Sequence, residues 1–210
     1  MNIQLSEKEV RVIGSLIEKE INTPEYYPLS LNSLTNACNQ KSNREPVVSF
    51  TENEVKDTID SLRSKRLVRM VEAGGRVPKY KQAFTEELNL SPNEIAALAV
   101  LMLRGPQTAG EIRTRSGRLY NFNNINEVDE TLENLNKRED GPFVVKLERQ
   151  PGMKERRFAH LFCGQPVMEE KEKIPGDDER ISKLELILND LLTELNQLKE
   201  QVAEFKKQLE

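Results

Sequence analysis

The chain has 210 residues, 31% of them charged and 37% hydrophobic, and its 31 basic and 35 acidic residues leave a formal net charge of −4. That balance suits small domains and an exposed helix better than one large core, and it excludes a protein that holds polyanions by bulk positive charge. Two cysteines, Cys38 and Cys163, stand far apart and outside any Cys-x-x-Cys pattern, which predicts buried, unpaired thiols in a reducing compartment.

Ser6-x-x-Glu9 has the spacing of a capping box, and Val10, Ile13, Leu16, Ile17 and Ile21 follow as one apolar helix face. Asn22 to Pro28 breaks that helix with a loop containing Tyr26 and Tyr27. The pair would suit a partner surface, but closing over the core is the preferred reading. Ser30 can cap a short second helix with Leu31, Leu34, Ala37 and Cys38 inward, and a polar run from Asn39 to Pro46 leads on. Thr51-x-x-Glu54 caps a third helix whose Val55, Ile59 and Leu62 share a face. Strands over 67–71 and 76–80, joined at Gly74-Gly75, complete a helix-helix-helix-ribbon unit.

Ser91-Pro92-Asn93-Glu94 restarts the unit. An offset of 85 lays Val10 on Ile95, Ile13 on Leu98, Leu16 on Leu101 and Ile17 on Met102. Thr108-x-x-Glu111 opens the next helix, and at the third helix an offset of 73 brings Val55 onto Val128 and Leu62 onto Leu135. Phe143 to Leu147, Pro151-Gly152 and Arg157 to Ala159 repeat the ribbon. The predicted fold is mainly α with small β-ribbons (α+β). It comprises two tandem winged helix-turn-helix domains at 1–86 and 87–164, a linker at 165–179, and a coiled-coil helix at 180–210.

The coiled coil rests on Ile181, Leu184, Leu188, Leu191, Leu195, Leu198, Val202, Phe205 and Leu209, spaced alternately three and four residues apart. This pattern predicts self-association, most simply a homodimer, over a helix docked on its own domains. No apolar run reaches the roughly 20 residues of a membrane span. The first residues lack the basic start and apolar stretch of a signal peptide. A soluble, cytoplasmic protein without membrane association is expected.

Several longer strings carry a family resemblance. Ile17-Glu18-Lys19-Glu20, Thr23-Pro24, Tyr27 to Asn32 and Thr35 to Arg44 do so in the first half, and Leu103 to Thr108 and Arg157 to Phe162 in the second. In these the chain resembles the YceH-type family of uncharacterised bacterial proteins. The resemblance implies a cytosolic tandem winged-helix protein and no particular activity. It stops short of the heptad tail.

Catalytic chemistry finds few candidates. His160 is the only histidine and lies between Ala159 and Leu161 on a predicted strand, where a packed or surface role outweighs that of a base. Neither zinc spacing, a phosphate loop nor a dinucleotide fingerprint occurs. An enzyme, a resident metal and a cofactor are therefore not expected. In a helix-turn-helix domain the third helix faces base edges. Here its outward residues are Glu52, Asn53, Lys56, Asp57 and Asp60 in the first copy, and Asn126, Glu127, Asp129, Glu130 and Glu133 in the second. Carboxylates facing phosphates repel them.

Basic residues gather beside those helices. Lys41 and Arg44 precede the first, and Arg76, Lys79 and Lys81 lie on its wing. Arg113, Arg115, Arg118, Lys154, Arg156 and Arg157 flank the second. The expectation is a DNA-associated, regulator-like protein that touches backbone weakly and without sequence readout through Lys41, Arg44, Arg76, Lys79 and Lys81. The alternative is a protein-protein interaction adaptor with no DNA binding.

Overall fold

The computed structural model describes residues 3–72, 77–149, 152–153, 155–165 and 188. The chain divides into two compact units, Met1–Pro166 and Val167–Glu210. Of the second, only Leu188 is described, as helical and exposed. The linker beyond Gln165 and the rest of the heptad lie outside the described residues.

The first unit is α+β. It begins with α1 (Glu7–Asn22), a 3-10 turn (Pro24–Tyr26), β1 (Leu29–Ser30) and α2 (Leu31–Cys38). Then come α3 (Glu52–Ser64), β2 (Val68–Val71), β3 (Lys79–Gln82) and the short α4 (Phe84–Glu87). The second half has α5 (Pro92–Arg104), α6 (Ala109–Arg115), α7 (Ile125–Lys137), β4 (Val144–Lys146) and β5 (Phe158–His160). The order of three helices and an antiparallel ribbon thus occurs twice.

The expected caps are present. Glu9 N–H donates to Ser6 Oγ at 3.3 Å, and Ser6 N–H donates to the Glu9 carboxylate at 2.7 Å. Reciprocal capping recurs at Thr51/Glu54, Ser91/Glu94 and Thr108/Glu111. Each box satisfies two amides that the helix cannot, and losing such a cap costs about 1 kcal/mol.

The first ribbon differs from a bare hairpin. Leu29 and Ser30 pair with Tyr80 and Lys79, so β1 joins β3 and β2 in a three-stranded sheet. The second half holds the same contact as a single bridge between Gln107 and Phe158. In both halves, then, the segment entering the second helix is pinned to the returning strand of the ribbon.

One hydrophobic core runs through both halves. The first helix was expected to bury a single face, yet Glu9 through Glu18 are all buried. The cause is α5, which packs along α1 opposite the rest of its own half. A β-carbon on Gly14 would stand 3.0 Å from Leu103 Cδ2 and 3.2 Å from Met102 Cβ, so the missing side chain lets the helices approach. Ala99, the residue 85 positions on, is small and fully buried as well. Ile21, assigned to the inner face, is instead 37% exposed, because it sits in the last turn of α1. Aromatic rings add a second bridge, with Phe84 of α4 meeting Phe162 edge-on at 5.1 Å and Phe143 meeting Phe162 at 5.4 Å.

No helix among the described residues is long and apolar enough to cross a membrane. Cys38 is buried and unpaired as expected, and burial pushes its thiol up to about 11. Cys163 was expected buried and is exposed, because it falls in the turn that closes on Gly164.

Candidate nucleic-acid interface

Helix α3 presents its amphipathic pattern as expected, burying Val55, Thr58, Ile59 and Leu62 and exposing Glu52, Asn53, Lys56, Asp57 and Asp60. Glu52 accepts from the Asn32 amide at 2.9 Å, tying α3 to α2, and Asp60 accepts from Arg63 at 3.1 Å. Glu54 receives Lys8 at 2.8 Å. That ammonium and the Thr51 bonds hold its carboxyl at about 2. Helix α7 is similarly acidic. Its Glu127 accepts from the Tyr120 hydroxyl at 2.7 Å and from Asn123 N–H at 2.8 Å, which keeps it ionised below the usual carboxylate range. Both third helices therefore carry fixed negative charge where a base-reading helix would carry donors.

The basic residues separate into two sets. Arg44 was expected at the surface and is buried, its guanidinium meeting Glu18 at 2.6 Å and 3.1 Å and the Ala37 carbonyl at 2.9 Å. Such a bidentate ion pair fixes the loop after α2 against α1, and Arg44 offers nothing to a phosphate. Arg157 is also engaged, with Glu111 at 2.9 Å and the Pro106 carbonyl at 2.8 Å. Arg113 donates to the Asn123 carbonyl at 3.1 Å. Arg118 and Arg156 are exposed, whereas Arg76 and Lys154 lie outside the described residues.

Lys79 and Lys81 form the other set, with Lys41. On β3 they alternate with Tyr80 and Gln82, so the two lysines share one face of the sheet. Register places Lys81 opposite Arg69 and Lys79 opposite Val71. Arg69 is tied to Glu86 at 2.6 Å and to Glu87 at 3.3 Å, but no ion pair among the described residues engages Lys79 or Lys81. Lys41 is exposed on the loop before α3 and is likewise without an ion pair among the described residues.

The two tyrosines part company. Tyr27 packs against the core and its hydroxyl accepts Gln82 N–H at 2.7 Å, while burial pushes its pKa up. Tyr26 is 71% exposed. His160 stacks on Phe162 with ring centroids 5.9 Å apart, and its Nδ1 is buried without a partner among the described residues. Burial alone pushes its pKa down to about 4, so the ring is neutral at physiological pH.

Two buried or half-buried arginines escaped the sequence reading. Arg11 donates to the Pro46 carbonyl at 2.6 Å from a position inside α1. Arg104, at the end of α5, donates to Asn43 of the first half. Nothing in the periodicity marks either; Arg104 falls only within the string that carries the family resemblance.

These features define an α+β protein in which a helix-rich unit with a ribbon occurs twice around a shared core, with third helices acidic and two lysines on one face of the first ribbon. The chain belongs to the family described as "Protein of unknown function, DUF480", which matches residues 5–153. It is 52% identical to a UPF0502 protein of Geotalea daltonii, over 86% of this chain and 83% of that one. It is 49% identical to a UPF0502 protein of Geotalea uraniireducens over the whole of both chains. The UPF0502 protein YceH of Escherichia fergusonii is 44% identical over 100% of this chain and 96% of its own length. The resemblance read from the polar strings is thereby borne out.

Proposed function

We propose that the chain is a cytoplasmic, non-enzymatic, DNA-associated protein with two winged-helix copies, residues 1–86 and 87–164. The first copy touches duplex backbone through its wing and does not read bases. The observation that supports this most is the placement of Lys79 and Lys81 on one strand face without ion pairs among the described residues. Lysines so placed can each neutralise a phosphate and release counterions, which gives salt-sensitive, sequence-independent affinity. The acidic faces of α3 and α7 favour the same reading, since neither suits the major groove. Lys41 and Arg76 complete the expected contact set.

Fluorescence anisotropy on a random duplex tests this. Lys79→Glu with Lys81→Glu should abolish binding at about 100 mM salt, whereas Arg113→Glu should change it little, since Arg113 is turned onto Asn123. Undiminished binding by the lysine pair removes the wing from the interface.

A second reading, the protein-interaction adaptor, is favoured by one observation. Tyr26 is 71% exposed, and Ile21 and Met70 of the same half are 37% and 41% exposed. Exposed aromatic and aliphatic residues are what a partner chain would cover. Self-association through residues 181–210 belongs to either reading.

A further inference from the structure

The lysine face of the first ribbon carries a third cation. Register sets Arg69 of β2 directly opposite Lys81 of β3, and residues paired in this way across an antiparallel ribbon point to the same side of the sheet. Like charges so placed repel. The Arg69 guanidinium is drawn instead to the base of the ribbon, where α4 follows β3. There it donates to Glu86 at 2.6 Å and to Glu87 at 3.3 Å.

Helix α4 is firmly seated. Phe84 is fully buried and meets Phe162 edge-on at 5.1 Å. Ala83 N–H donates to the Leu67 carbonyl at 2.8 Å, which continues the β2–β3 ladder to its base. Thr85 N–H donates to Gln82 Oε1 at 2.9 Å, and Gln82 Nε2 donates to Thr85 Oγ1 at 2.8 Å, so α4 is tied to the end of β3 as well. Glu86 and Glu87 therefore stand at a set place beside the ribbon. Both are exposed, and among the described residues each has Arg69 as its one ion-pair partner. Two carboxylates against one guanidinium leave a negative charge in excess next to the lysine face.

We propose that Glu86 and Glu87 are a built-in competitor for the duplex, which holds Arg69 away from phosphate and so restrains the affinity of the wing face. The inference rests on the DNA-associated reading and states how that same site is regulated. An exposed ion pair is weak and exchanges readily, and the planar guanidinium fork takes phosphate oxygens as well as carboxylate ones. A backbone phosphate that displaces the two carboxylates gains Arg69 as a third cation beside Lys79 and Lys81. Until then the pair keeps the contact weak while the lysines stay in place on the sheet.

The test measures affinity for a random duplex from about 50 to 200 mM salt, for the full chain and for variants first shown to melt as the parent does. Glu86→Gln with Glu87→Gln removes the competing charge and keeps an acceptor at each position. Affinity at about 100 mM salt should rise by up to about tenfold, and the slope of log affinity against log salt should steepen by about 0.9, the step for one added phosphate. Glu130→Gln with Glu139→Gln makes the same change in net charge at two exposed carboxylates of the second half and should leave the slope as it is in the parent. Arg69→Gln added to the Glu86/Glu87 pair should return the slope to the parent value. An unchanged slope in the Glu86/Glu87 pair overturns the inference. So does an equal steepening in the Glu130/Glu139 pair, which would mark a general effect of charge, or a steepening that survives the loss of Arg69. If the Lys79/Lys81 reversal weakens binding while the Glu86/Glu87 pair changes nothing, the wing reading stands and the competitor falls. Absence of duplex binding by both the parent and the Glu86/Glu87 pair overturns the two together.

Discussion

His160 and Arg44 show how far a single residue's role depends on what covers it. His160 lies opposite Val144 and stacks on Phe162, and burial drops its pKa to about 4 from an ordinary 6.5. The depressed value fixes the sign of its linkage. On acidification the unfolded chain takes up the proton first, so its contribution is complete above pH 6.5 and is lost as pH falls through 6.5 toward 4. Being the only histidine, it is the main group expected to titrate between about pH 5 and 7. Chemical denaturation at about pH 7.5 and about pH 5.0 should show a loss on the order of 1–2 kcal/mol. His160→Phe should largely abolish that loss; an equal loss in the variant would place the titration elsewhere. Arg44 teaches the complementary point. In the sequence it sits in a polar run and looks solvated, and its partner Glu18 is 26 residues away on α1. Burial of a charge by a distant partner leaves no mark in local pattern.

At the scale of elements, legibility followed locality. All four capping boxes were readable because cap and carboxylate are three residues apart. The inward faces of α3 and α7 were readable because periodicity is a property of one helix. Strand β1 was not, since two residues carry no alternation and Leu29–Ser30 become a strand only by pairing with β3, much later in the chain. The packing of α1 on α5 was equally hidden. Gly14 and the small residues of α5 permit it, but a lone glycine in a helix does not announce its neighbour. The heptad is the element whose sequence signal is longest, and its prediction concerns association. Leu191→Asp with Leu195→Asp would bury charge in the predicted seam. Sedimentation equilibrium should find the parent chain dimeric, and both this variant and a chain ending near Gly164 monomeric. A monomeric parent, or a dimer that survives the shortening, would remove residues 181–210 as the interface.

For the whole molecule, the repeat explains more than fold. Two copies share one core, but the first sets two lysines side by side on one face of its ribbon, clear of ion pairs among the described residues. In the second copy, Glu111 ties Arg157 of the ribbon back onto the body. The candidate site was therefore legible in part: Lys79 and Lys81 stood out as basic residues on the predicted wing, whereas the engagement of Arg44 and Arg157 could emerge only from tertiary contacts. The same asymmetry makes backbone contact without base readout the central claim. Affinity for several duplexes of unrelated sequence, measured side by side across a salt series, tests it most directly. The account predicts affinities within about threefold of one another, all falling steeply with salt by the counterion-release slope. One duplex preferred by about a hundredfold, on the scale of specific base recognition, or affinity indifferent to salt, would contradict it.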